Sequence, residues 1–519
     1  MLVSLFLVCL KYVGLLLLAF VAYMVAFKII PPYLVWLKYK KYKNVYTSKS
    51  FIPLLGDFWP IMKNLKAGIK YYNHLDQKVY DMKDQDIELM FEGDKPCFQI
   101  FSHQAHKEFE ELIPHKIDRF PEEEHIGQMV HKTIGNVRFD KLFNFRKRTV
   151  LKLLSIGRSS LYIPRMIKSC EWLTNTWKGN PCDVNCSKDM FKLNFNVFIK
   201  VLLGEDNLPL VNTPHPYENE DGSTTMMTLG DYTLKTSDAF IDQFLNPLSI
   251  IFPFINKYQL CEPFKRNHRN LKVLQDWLKK AIDNCQDELS MLYALKDLKE
   301  IPPEVLLDDL VGYILAGADT SAHGFCATLY QLKKNPEKLV KLMDELKSHG
   351  FTKDSNMDEA LSWEKIDQLD YLNWCLKEGL RIDPPGVDSL GYECVEDVTI
   401  CGVPLKKGQY MKINLYASNH SPIEHQRPHD FIPERFDPES EFFTKPNSNK
   451  ASSPYSNIPF SHGPRGCPGL VIAMMQIKVA FVYILSKYDY EIEPETLKKE
   501  GMGFALRSGI ELHAKFTKK

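Results

Sequence analysis

Residues 460–469 read Phe460-Ser461-His462-Gly463-Pro464-Arg465-Gly466-Cys467-Pro468-Gly469, directly ahead of an apolar run, LVIAMMQIKVAFVYILSKY, that begins at Leu470. A lone cysteine in a Gly/Pro-rich loop is by itself most simply an inert thiol. The context argues otherwise. Glycines at 463, 466 and 469 let the backbone turn tightly and approach a flat ligand closely, Arg465 offers a fixed charge for a carboxylate, and Phe460 can pack near the sulfur. A thiolate here is favoured by the positive end of the following helix and by N–H groups aimed at it. Pro468 has no N–H to give, so that duty falls to Gly469 and its successors. The following run is apolar on nearly every face, which predicts a deeply buried helix.

Upstream, the clearest helical pattern runs from Pro303 to Lys334, opened by Pro302-Pro303 and closed by Asn335-Pro336. Its middle reads Ala316-Gly317-Ala318-Asp319-Thr320-Ser321. Glycine weakens a helix there, and a threonine hydroxyl can bond back to a carbonyl and open the turn, making room for a small ligand. Taken alone, the stretch reads more simply as small-residue packing between helices. Glu378-Gly379-Leu380-Arg381 sets a carboxylate and a guanidinium at i, i+3 on a helix stopped by Pro384-Pro385, and Pro433-Glu434-Arg435-Phe436 follows downstream. Short β-like pieces fall at 97–101, 398–401, 411–415 and 509–513, so the fold class is mainly α with small β-sheets.

The decapeptide resembles the cysteine-loop signature of the cytochrome P450 family, Phe-x-x-Gly-x-Arg-x-Cys-x-Gly, at every specified position, and the likeness extends over most of residues 50–519. The resemblance implies the P450 fold and a haem b cofactor with Cys467 as the axial thiolate of its iron. It places Phe460, Gly463, Arg465 and Gly469 around that cofactor, with Ala316 and Gly317 on the opposite face. Asp319 and Thr320 become the catalytic pair: Thr320 holds a hydrogen bond to the oxygen substrate or a water, and Asp319 feeds protons from solvent. Arg435 is expected to join Glu378 and Arg381 in a buried, structural charge cluster. Two departures stand out. Where the family has a Trp-x-x-x-Arg helix touching a haem propionate, the stretch from Asp140 to Arg148 puts Asn144 at the tryptophan position and Arg148 in the basic role, with Arg146 as the other register. A second propionate arginine after Pro384-Pro385 is missing, and Tyr392 stands near its place.

The 519 residues carry 65 basic and 65 acidic side chains, which speaks against binding nucleic acid by phosphate neutralisation. Twelve cysteines without a Cys-x-x-Cys pair read as reduced thiols rather than a disulfide framework. Residues 1–30 form an apolar run broken only by Lys11 before Lys28, long enough for a transmembrane anchor; a cleaved signal peptide is the alternative, disfavoured by Pro31-Pro32 where its cleavage site belongs. Lys38, Lys40, Lys41 and Lys43 follow the run and predict a cytosolic body, leaving the glycosylation-type triplets at Asn185 and Asn419 unused. The expected organisation is an anchor (1–30), a Pro/Lys-containing linker (31–49) and a catalytic domain (50–519), which the resemblance puts on the endoplasmic reticulum membrane as a single-pass protein.

The function so implied is a haem-thiolate monooxygenase inserting one oxygen atom into a small lipophilic substrate. The chain shows no Gly-x-Gly-x-x-Gly fingerprint ahead of a helix and no iron–sulfur cysteine cluster, so a separate NADPH-dependent flavoprotein reductase is expected as its partner, alongside membrane lipid. Two alternatives are a haem-thiolate isomerase or dehydratase acting on hydroperoxides, whose known relatives tend to lack the acid–alcohol pair, and a non-enzymatic haem or lipid carrier, which needs no proton relay. Substrate choice is expected from the variable stretches 122–136 and 223–246 and the turn around Phe504.

Overall fold

The computed structural model describes residues 2–60, 63, 78–120, 131–497 and 512–519. Most of the 122–136 stretch, the turn around Phe504 and the start of the 509–513 strand lie outside the described residues. The architecture is helix-rich with small sheets. Helix α1 (Leu2–Tyr23) continues through a π-helical segment, Met24–Ile29, into α2 (Ile30–Tyr39). Leu10–Tyr39 is long and apolar enough to cross a membrane, and Leu15 to Leu18, Phe20, Val21 and Phe27 are exposed along it.

Pro31-Pro32 does not end this helix. Prolines at the start of α2 cost little, because the first N–H groups of a helix lack intrahelical partners anyway, and the π segment absorbs the change of phase. Residues expected to form a linker are therefore helical as far as Tyr39 and pack on the body. Trp36 and Tyr39 are buried, the Tyr39 hydroxyl donates to the Pro404 carbonyl at 2.8 Å, and Lys28 pairs with Asp94 at 2.9 Å.

Strands β1 (Val45–Thr47), β2 (Ile87–Glu92), β3 (Lys95–Ile100), β4 (Ile117–Arg119), β5 (Tyr392–Cys394) and β6 (Tyr410–Ile413) make a six-stranded sheet in the order β1-β2-β3-β6-β5-β4. The long crossover to β6, parallel to β3, brings residues near 120 beside residues near 390. This sheet covers its own apolar core with Tyr39, Phe98, Phe109 and Ile413. The expected strand at 398–401 forms as Val398–Ile400, hairpinned to Val403–Leu405, and His513–Lys518 pairs with Tyr488–Ile492 and Cys182–Asn185.

The larger core is helical. Helix α3 (His103–Leu112), capped by Ser102, packs into the sheet's core, while the larger core is built from α4 (Lys141–Leu153), capped by Asp140; α5 (Cys186–Leu202); α6 (Pro303–Gly317); α7 (Asp319–Lys334); α8 (Asp370–Ile382); and α9 (Leu470–Lys487). Helix α9 is buried over most of its length, and its Phe481 ring lies 4.3 Å from that of Phe325 on α7. The single helix expected from Pro303 to Lys334 is instead two, divided at Ala318. The break has a local cause: Thr320 Oγ donates to the Ala316 carbonyl at 2.8 Å and Ser321 Oγ to the Gly317 carbonyl at 3.3 Å, so side chains take acceptors at the point where the ladder opens.

Candidate active site

The cysteine loop is a tight turn held by its own backbone. Cys467 N–H donates to the Phe460 carbonyl at 2.9 Å and Gly466 N–H to the Gly463 carbonyl at 3.0 Å. Gly463 has φ +64°, a conformation that favours glycine, and a Cβ there would also press on Glu110 Oε1 at 2.8 Å. Cys467 is the one exposed cysteine among the eleven whose side chains are described; the other ten are buried or half-buried. The surrounding protein pushes its thiol up from the ordinary value, while the N–H groups of Gly469 and Leu470 and the Lys147 ammonium pull the other way. The same helix N-terminus that the sequence assigned to the sulfur thus faces it.

Arg465 is buried between two rings, its guanidinium 4.2 Å from the centre of Phe139 and 4.0 Å from that of Phe143, and its Nη2 donates to Asp118 at 2.9 Å. Burial, with the neighbouring Arg119, lowers its pKa to about 10. Helix α4 takes a different register from the expected one. Asn144 and Arg148 lie on its exposed face, whereas Phe143, Arg146 and Val150 are buried. A helix advances about 100° per residue, so a two-residue shift reverses the face. Arg146 donates to Asp309 on α6 at 3.0 Å and to the Lys132 carbonyl at 2.8 Å, and Lys147 donates to the Gly466 carbonyl of the cysteine loop.

Arg119, at the end of β4, was not singled out by sequence. It donates to the Leu390 carbonyl at 2.7 Å and lies 4.3 Å from the ring centre of Tyr392, the residue near the place of the missing arginine. The only sequence signal was its basic character beside Phe120-Pro121; the β4–β5 pairing that carries it to Tyr392 is a long-range contact. Arg119, Arg146 and Arg465 each keep a buried Nε–H with no protein acceptor. Buried donors of this kind are normally satisfied, so the set is suited to an anionic ligand.

On the opposite side of the cysteine loop in sequence, Ala316 is exposed in the middle of the fold and Thr320 lies one turn further on, half-buried. Gly317 points elsewhere: a Cβ there would come within 2.6 Å of the Phe198 ring, so this glycine serves helix packing between α5 and α6. Burial raises the Asp319 carboxyl to about 6, with His323 pulling it down.

Behind the site, Glu378 accepts from Arg381 Nε at 2.7 Å and Nη2 at 2.8 Å, from Arg435 Nε at 3.0 Å, and from the Ile432 N–H at 3.0 Å, forming the expected cluster. Arg381 also donates to the carbonyls of Asn419 and Pro428, tying the segment that leads to the cysteine loop. His462 pairs with Glu110 and with His106, which reaches Ser418 at 2.9 Å. His425 is buried with Nε2 at 2.8 Å from the Ser456 carbonyl.

The profile described as Cytochrome P450 matches residues 53–509 of the chain. The chain belongs to the cytochrome P450 family. Among curated relatives, it is 32% identical over 212 residues to the rat (Rattus norvegicus) protein named Cytochrome P450 4F4, covering 40% of this chain and 38% of that protein. It is 32% identical over 230 residues to the mouse (Mus musculus) Leukotriene-B4 omega-hydroxylase 3, covering 43% of this chain and 42% of that protein. It is 30% identical over 207 residues to the pig (Sus scrofa) Taurochenodeoxycholic 6 alpha-hydroxylase, covering 40% and 38%. The chain spans about two fifths of the length of these relatives. Membership of the P450 family implies a haem, and the donor set fits one: a sulfur for the iron and buried guanidinium groups for the carboxylates of the macrocycle.

Proposed function

We propose that the protein is a membrane-anchored haem-thiolate monooxygenase that inserts one oxygen atom into a small lipophilic substrate. The observation that carries this reading is the exposed Cys467 thiol at the N-terminus of the buried helix α9, where the N–H groups of Gly469 and Leu470 and the Lys147 ammonium offset part of the burial that raises its pKa. Cys467 Sγ would hold the iron of haem b, and Arg465, Arg119 and Arg146 would hold its carboxylates, with Phe460, Gly463 and Gly469 shaping the loop. When bound, the haem supplies reductive activation of dioxygen and transfer of one of its atoms.

The remaining work belongs to the chain. The Thr320 hydroxyl, which donates to the Ala316 carbonyl, is placed at the opened turn to donate instead to the oxygen substrate or a water. Asp319, with its carboxyl near 6, exchanges protons readily at neutral pH and can resupply that hydroxyl. Ala316 leaves space beside them.

The division into an anchor (1–30) and a catalytic unit (50–519) is supported by the apolar helix and by a family match beginning at residue 53. With no dinucleotide fingerprint in its sequence, the chain takes electrons from an NADPH-dependent flavoprotein reductase. The basic residues after the span favour a cytosolic catalytic unit on the endoplasmic reticulum membrane. A lipophilic substrate accords with relatives named for a leukotriene and a bile acid.

The test is the absorption spectrum of the reduced protein under carbon monoxide, with substrate turnover measured using NADPH, oxygen and added reductase. A strongly red-shifted band that disappears in Cys467→Ser is expected. A band that survives that substitution places the ligand elsewhere. Fast conversion of an organic hydroperoxide with no electron donor replaces the monooxygenase with an isomerase or dehydratase.

A further inference from the structure

One buried ion pair beside the acid–alcohol turn has no part in the chemistry so far. His323 lies four residues after Asp319 on α7, so the two share a helix face one turn apart. Its ring is buried, with Nε2 at 3.0 Å from Asp383 Oδ1 and 3.2 Å from the Asp383 carbonyl. Two oxygens on one ring nitrogen require that nitrogen to carry hydrogen. Asp383 is itself buried, at the end of α8 immediately before Pro384-Pro385, and its N–H is held by the Gly379 carbonyl. The backbone that supports the Glu378–Arg381–Arg435 cluster therefore also fixes the carboxylate facing His323.

His323 faces Asp383 as a buried pair, and positive charge on that ring one helical turn from Asp319 favours the charged form of the Asp319 carboxylate. Burial acts on Asp319 in the opposite sense, and His323 is the charged group that counters it. The surroundings hold few competitors. Cys326 on α7 and Cys186 on the packed helix α5 are thiols whose burial pushes them up, so both stay neutral. On α8, Glu378 and Arg381 are buried and paired with each other, and Gln476 of α9 bonds Asn194 of α5.

We propose that His323, held by Asp383, is a positioning residue that sets how readily Asp319 gives up its proton to the Thr320 site. The inference deepens the monooxygenase reading and rests on it for its functional meaning. Without the pair, the Asp319 carboxyl would hold its proton more tightly; with it, the carboxyl is poised to cycle.

The test is an infrared pH titration of the purified full-length holoprotein, following the carbonyl stretch of protonated carboxyl groups, with the Asp319 band assigned by its loss in Asp319→Asn. In His323→Gln, which can still bond Asp383 but carries no charge, the midpoint of that band should rise by about one unit or more, a tenfold or greater gain in proton affinity. Asp383→Asn, which removes the partner of the imidazolium, should move it in the same direction, and it supplies the answer if the His323 variant does not fold. An unmoved midpoint in whichever variant folds overturns the proposal. The reduced carbon monoxide spectrum of each sample separates the two levels: a normal red-shifted band with an unmoved midpoint refutes the role of His323 alone, whereas absence of that band in the unsubstituted protein refutes the haem-thiolate reading.

Discussion

Replacing Glu378 by Gln changes little in volume and removes one negative charge from a fully buried site. In the structure that carboxylate accepts from Arg381 at 2.7 and 2.8 Å, from Arg435 at 3.0 Å and from the Ile432 N–H at 3.0 Å. Both guanidinium groups keep carbonyl acceptors, Asn419 and Pro428 for Arg381, Gln426 and Arg427 for Arg435, so neither is wholly stranded. Their mutual repulsion, however, loses its only counter-charge within the cluster. Burial and Arg381 already lower Arg435 to about 10 with Glu378 in place. Breaking a buried pair from one side costs about 3–5 kcal/mol, which is two to four powers of ten in the folding equilibrium. Set against a total stability of about 5–15 kcal/mol, such a loss leaves little or no folded protein at the lower end. The assay is urea unfolding followed by tryptophan fluorescence, with bound haem measured in parallel. The pH dependence supplies a second check. Burial alone would raise the Glu378 pKa, but Arg381 and Arg435 outweigh it and hold the pKa below the ordinary 4.5. A depressed carboxyl contributes stability that is present above 4.5 and lost as pH falls through the folded value, and Glu378→Gln should lack that step. A variant within about 0.5 kcal/mol of the unsubstituted protein at pH 7, far below the 3–5 kcal/mol cost, would refute the reasoning.

Gly317→Ala should lower the melting temperature, because a gain of about 1 kcal/mol in helix propensity is outweighed by forcing a methyl to within 2.6 Å of the buried Phe198 ring, at a cost of about 1–3 kcal/mol. Phe198→Leu in that background should restore part of the loss; a melting temperature raised by the single substitution contradicts the packing role. His425 is buried with its pKa lowered to about 3, chiefly by burial and then by Arg381, so the folded state stays neutral where the unfolded chain takes up a proton. A depressed histidine makes stability fall as pH drops from 6.5 toward 3, by about 1.4 kcal/mol per pH unit. Asp319 and Asp388, raised to about 6, act in the opposite sense below that pH, so the clean measurement is the difference between the protein and His425→Asn across pH 7 to 5. The variant should show the shallower loss, and parallel curves would count against a neutral His425.

Much of the fold and of the cysteine side of the site is legible in the chain because the determining features are local. The Gly/Pro spacing around Cys467 dictates a tight turn into an apolar helix whatever else surrounds it, and the i, i+3 spacing of Glu378 and Arg381 brings opposite charges together on any helix. The α4 register was not legible, since Arg146 and Arg148 are both basic residues in one amphipathic pattern and only packing against α6 selects Arg146. Nor was the anchor boundary: the sequence predicts a linker from residue 31, yet Pro31-Pro32 sits at the one place in a helix where proline costs little, and the helix runs on to Tyr39.

The sequence by itself therefore determined the family, the tight cysteine loop ahead of a buried helix, the charge cluster behind it and the apolar leading helix, all features written within a few consecutive residues or in hydropathy. Only the tertiary structure decided the recruitment of Arg119 to Tyr392 and the pairing of His323 with Asp383. Both join segments far apart in the chain, and their juxtaposition follows from sheet register and helix packing, which no local propensity encodes.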